Sequence, residues 1–122
     1  MINPRNTTMV ILQSSTFNKT LQWKDNGHVV DITGMEIAFH VRQRGVTEVL
    51  LLSASTTTGD IEIVDGENGL FKFNIPASVT ESLDFNNALY DILIKDIDGS
   101  VHRIAQGIVL LDISQTKLEA FG

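Results

Sequence analysis

Three histidines, His28, His40 and His102, are the side chains best suited to acid–base work or metal ligation near neutral pH. Each lies beside a turn signal or on the polar parity of an alternating segment. None has a second histidine or a carboxylate at helical ligand spacing. A strand geometry that brings His40 and His102 to one face would make a pair; the plainer reading is exposed sheet histidines. Acidic groups gather twice. Asp96-Ile97-Asp98-Gly99-Ser100 begins like a calcium loop, but that loop needs Gly at its sixth position and Glu at its twelfth. Here Gly comes fourth and the twelfth residue is Gly107, so a tight turn accounts for the residues better. Asp65, Glu67 and Asn68 read either as a loop for a weakly held cation or as a solvated turn.

Nucleophile signatures are missing. Serine is plentiful without a Gly-x-Ser-x-Gly elbow, and no Walker loop or Gly-x-Gly-x-x-Gly occurs. The chain has no cysteine, which removes thiolate chemistry, disulfides and cysteine-ligated zinc together. The expectation is no catalytic residue, no cofactor-binding residue and no metal ligand, hence no enzyme. Asn6-Thr7-Thr8 and Asn18-Lys19-Thr20 match the glycosylation sequon, but no signal peptide accompanies them.

Charge narrows the partners. Formal net charge is −6 and the nine Lys and Arg residues are scattered, with Arg42 and Arg44 the closest pair. Nucleic-acid binding needs a basic stripe that displaces counterions, so no nucleic-acid partner is expected. The apolar run Ile108-Val109-Leu110-Leu111 is far too short to span a bilayer, so no membrane partner is expected either.

The elements that would position any site are strands. Met35, Ile37, Phe39 and Val41 alternate with Glu36, Ala38, His40 and Arg42, one buried face against one wet face. Phe71, Phe73 and Ile75 repeat the pattern, and Phe17, Leu21 and Trp23 share another parity. Lys19 interrupts that apolar face, which suggests an edge. Tyr90, Ile92 and Ile94 share a parity opposite Leu89, Asp91, Leu93 and Lys95. That strand is half apolar on both faces and belongs near a sheet centre or at an interface. Asn26-Gly27 and Asp98-Gly99 read as hairpin turns with positive φ at both central residues. Pro76 through Leu83 is the one stretch inviting a helical turn.

These signals predict an all-β chain. It should form one antiparallel immunoglobulin-like β-sandwich of about eight strands spanning 1–122, with a short helical connector near 76–83. Residues 1–6 and about 115–122 read as terminal arms, the second carrying Leu118 and Phe121 to a neighbour or simply fraying.

The order of the motifs resembles a small β-sandwich family from tailed bacteriophages. Trp23-Lys24-Asp25-Asn26-Gly27, Val30-Asp31-Ile32-Thr33-Gly34 and Ile37 to Arg42 resemble its polar hairpin, its hydrophobe-Asp-hydrophobe-Thr-Gly step and its alternating strand. Ile75 to Thr80, Leu89-Tyr90-Asp91-Ile92 and Arg103 to Gly107 resemble its connector, its Tyr-Asp strand and its closing Arg-x-x-x-Gly strand. The resemblance covers roughly residues 8–116 and implies a virion structural protein of the tail, baseplate or particle surface. Its implied partners are other virion proteins and itself, as a homo-oligomer made in the host cytoplasm. Tyr90, after a helical connector, resembles the tyrosine corner of immunoglobulin-like sandwiches, and Gly107 within a long strand points to a bulge or close backbone contact. A carbohydrate- or cell-surface-ligand module is the competing expectation.

Overall fold

The computed structural model describes residues 5–122; of the arm expected at 1–6, residues 1–4 lie outside them, while Arg5 and Asn6 pair with Ala105 and Gln106. Among the described residues eleven strands form in chain order. They are β1 Arg5–Asn6, β2 Met9–Leu12, β3 Phe17–Gln22, β4 Lys24–Asp25, β5 His28–Val29, β6 Glu36–Gln43, β7 Val46–Ser55, β8 Ile61–Asp65, β9 Leu70–Ile75, β10 Asn87–Lys95 and β11 Val101–Asp112. Eight of them are four residues or longer, the number expected. Among the described residues one α-helix forms, α1 (Ala77–Glu81), in the expected connector after Pro76.

The larger sheet runs β1-β11-β10-β6-β7, with β2 also on β11; the smaller runs β3-β9-β8. This is the immunoglobulin-like β-sandwich, with the first strands on the sheet of β11 rather than on that of β3. One expectation fails here. The sandwich is not wholly antiparallel, because β1 and β2 both pair β11 in parallel. Alternation reports which side chains are buried, not which way a neighbour runs. Met9-Val10-Ile11-Leu12 is apolar at every position, so its residue types do not alternate although its burial does.

β6 and β10 form the centre of the larger sheet, the first of the two placements expected for β10 from its mixed faces. Phe39 on β6 meets Phe73 on β9 edge-on at 4.9 Å and Tyr90 on β10 at 5.8 Å. Phe17 and Phe71 close on Phe73 at 5.7 and 6.1 Å. In a chain without cysteine, the edge-on Phe39–Phe73 contact joins the two sheets, and the other three rings pack around it within their own sheets.

The turns follow the residues. Asn26 and Gly27 both take positive φ, 52° and 79°, so the β4–β5 hairpin has the expected turn. At Asp98-Gly99 only Gly99 does, at 91°. Its amide donates to the Asp96 carbonyl, making a longer loop than the one expected. The Asp98 side chain closes that loop, its Oδ1 accepting from Ser100 Oγ at 2.6 Å and Ser100 N at 2.9 Å. Asp31 repeats the device with Thr33 Oγ1 at 2.6 Å and Thr33 N at 2.9 Å.

Those hydroxyl and amide donors hold both carboxyls below the usual carboxylate range. A carboxyl whose folded-state value is depressed adds stability above its unfolded value of about 3.9, lost as pH falls through the folded one. The double variant D31N/D98N should therefore be less stable than wild type at neutral pH. Urea-unfolding midpoints recorded from neutral to acid should converge for the two proteins at the acid end. Parallel curves would contradict the assignment.

The end expected as an arm is tied down. Glu81 Oε1 accepts from Leu118 N at 2.7 Å and from Ser14 Oγ at 3.1 Å. The buried Gln13 donates to the Leu83 carbonyl at 3.0 Å and accepts from Ser114 N and Lys117 Nζ. Leu118 thus folds back beside α1 rather than reaching outward, while Phe121 stays 86% exposed.

Candidate functional site

Tyr90 and Gly107 face one another across β10 and β11. Tyr90 Oη donates to the Thr7 carbonyl at 2.7 Å. The expected tyrosine corner is therefore displaced: the hydroxyl ties down the N-terminal segment, not the connector before its own strand. Burial pushes the Tyr90 phenol above its ordinary value. Gly107 makes the expected close backbone contact, since a Cβ there would run into the Thr7 carbonyl. The bulge lies elsewhere, between the pairs Ile92–Ala105 and Leu93–Arg103, with Ile104 as the extra residue.

On the outer side of this pair the larger sheet is dished. The depression has about 620 Å³ and is walled by His40, Arg42, Leu89, Asp91, Leu93, Gln106 and Ile108. Strand register puts Ser53, His40, Asp91 and Gln106 in one row across β7, β6, β10 and β11. No sequence pattern signals that row, because its members are brought together only by pairing. Serine, histidine and aspartate side by side are the residue types of a nucleophilic triad. Their bonds run elsewhere. Arg42 Nη2 lies 3.3 Å from His40 Nδ1, a bond Arg42 donates when that nitrogen carries no proton. The Asp91 carboxylate lies 3.5 Å from Arg103 Nε. Arg103 donates on to Gln106 at 3.2 Å, and Gln106 to Asn6 at 3.1 Å. Among the described residues no bond joins Ser53, His40 and Asp91.

The remaining sequence candidates do not converge. His40 faces outward opposite Asp91, while His102 faces inward opposite Ile94, its ring 6.0 Å from that of Trp23. The two therefore lie on opposite faces of the sheet. Asp65 Oδ2 accepts from Asn68 Nδ2 at 2.8 Å, so that loop is closed on itself. Among the described residues no three His, Asp or Glu side chains group as metal ligands. Trp23 and Tyr90 are buried in the core, 6% and 5% exposed. No helix among the described residues is long and apolar enough to cross a membrane.

The outer face is also apolar. Leu50, Leu89, Ile108, Leu110, Val10 and Leu12 point outward on β7, β10, β11 and β2, with Arg42 of β6 between Leu50 and Leu89. Leu12 is 53% exposed, Val10 49%, Leu50 45%, Leu110 44% and Leu89 37%. The polar row and this aliphatic stripe share one surface. Single exposed hydrophobes are ordinary; here several share one face with both signs of charge.

Among solved structures, the chain is similar to extracellular domains 3–5 of Drosophila OTK, with 14% identity and a TM-score of 0.34. The match covers 90% of this chain and 34% of that one, so the chain spans about a third of that structure's length. No family model matches the sequence, and no curated protein matches it. The fold assignment rests on the strand order and pairing described above.

Proposed function

We propose that this chain is a structural module of a tailed-bacteriophage virion. It docks through the outer face of its six-stranded sheet, first of all against a second copy of itself. The motif order from Trp23 to Gly107 supports the virion setting. The observation that carries the docking role is the exposed aliphatic stripe from Leu50 to Leu12. Its neighbours carry both signs of charge, Arg42 and Arg103 beside Asp91, which a two-fold contact between copies can set against each other.

Size supports the same reading. Five strand widths at about 4.8 Å and eight residues at about 3.3 Å give a face of roughly 600 Å². Two such faces cover about 1,200 Å², above the ~1,000 Å² that a specific interface needs. A carbohydrate-binding module is less favoured, because sugar faces stack on exposed aromatics and Trp23 and Tyr90 are buried.

Light scattering on the eluting protein should give a dimer or larger closed oligomer that dissociates on dilution. Purified virion parts from the phage host should retain the protein. A strict monomer that such parts do not retain would overturn the reading.

A further inference from the structure

A second cavity, of about 210 Å³, lies where the two sheets part between β1 and β3. Its floor is apolar, made by Trp23, Phe71, Tyr90 and Ile92. Its mouth holds two cations. Arg5 pairs with Ala105 and Lys19 pairs with Phe73, so both stand at positions whose neighbours face the core. Each also lines this cavity. Among the described residues neither Arg5 nor Lys19 makes an ion pair.

Both cations thus stand on facing edges of the two sheets, at the rim of an apolar gap. The chain as a whole carries −6, so this local positive spot runs against its own background. The Arg5 charge acts on the cavity itself, since it opposes the upward push of burial on the Tyr90 phenol. An anion between the cations would meet opposite charge on both sides, and an apolar body attached to it would fill the gap. A cavity of about 150 Å³ accepts benzene, so this one has room for one ring or a short alkyl chain.

We propose that this crevice is a binding site for a small amphipathic carboxylate, aromatic or short-chain aliphatic. Its head lies between Arg5 and Lys19 and its body lies against Trp23 and Phe71. The site is independent of the docking face, which is on the other side of the larger sheet. Lys19, which interrupts the apolar parity of β3, then has a role beyond guarding a sheet edge.

Benzoate and hexanoate, titrated into the full chain and followed by NMR, are the probes. Saturable shifts of the Trp23 indole and the Ile104 and Ala105 amides are expected. Benzyl alcohol should bind at least tenfold more weakly, because it lacks the charge-assisted bonds. Lys19→Met should weaken benzoate at least tenfold while leaving thermal stability unchanged or higher, and Arg5→Gln, at an exposed strand end, supplies a second variant. The proposal is overturned by an absence of saturable shifts with both acids, by shifts confined to other surfaces, or by equal binding of benzyl alcohol. Undiminished benzoate binding in both variants would overturn it too, leaving Lys19 as an edge guard.

Discussion

Replacing Gly107 by alanine should destabilise the domain by about 3 kcal/mol, a loss of roughly 10 °C in thermal midpoint for a chain of this length. The cause is a backbone contact and not lost flexibility. The Thr7 carbonyl occupies the space that a Cβ would need, and backbone on both sides leaves no side chain to step aside. The N-terminal segment must move away, and with it goes the bond from Tyr90 to Thr7. Tyr90→Phe alone should cost about 1 kcal/mol, the usual worth of one such bond. The double variant should then cost less than the sum, since both residues hold the same carbonyl. Circular-dichroism melts of the four proteins test this. A Gly107→Ala protein within about 0.5 kcal/mol of wild type would show that β1 and β2 dock without the contact.

Much of the fold was legible where the chain obeys a period. β6 alternates cleanly because one face packs on Phe73 and the other is wet. Asn26-Gly27 specified a hairpin because its residues tolerate the φ values the turn demands. Asp98-Gly99 misled by one residue. Its loop needs a positive φ at Gly99 alone, and Asp98 is held by Ser100 instead. Where a strand has two apolar faces, period carries no message. β2 is apolar throughout, and β7 runs Val49-Leu50-Leu51-Leu52 because its pairing with β6 slips beyond Val41.

The candidate surface was hidden for the same reason. Leu89 and Leu93 marked β10 as a strand with something on its outer side, yet gave no partner. Only the pairing of β10 with β6 and β11 assembles Leu89, Ile108, Arg42 and His40 into one dish. Tyr90 and Gly107 each drew attention as fold residues. That both address Thr7 could not be read from residues 83 and 100 positions away.

Charge placed in the aliphatic stripe should separate association from folding. Leu89 and Leu110 lie on adjacent strands of the outer face, 37% and 44% exposed, and neither belongs to the core cluster. Leu89→Asp with Leu110→Asp should therefore leave the thermal midpoint within a few degrees of wild type. Across a two-fold axis, though, each substitution meets its own copy or the other, so four carboxylates enter one desolvated patch. An apolar residue at the centre of an interface is worth about 2 kcal/mol or more on truncation, and a buried unpaired charge costs more. The dimer dissociation constant should rise at least 100-fold, and light scattering should give a monomer at concentrations where wild type is dimeric. The same substitutions at Ile97 and Val101, exposed at the hairpin end of β10 and β11, should leave association unchanged. An unfolded double variant would place these leucines in the core instead. A folded dimer would move the interface to a free sheet edge, of which β7, with Val46 and Val49 exposed beside its open backbone, is the longest.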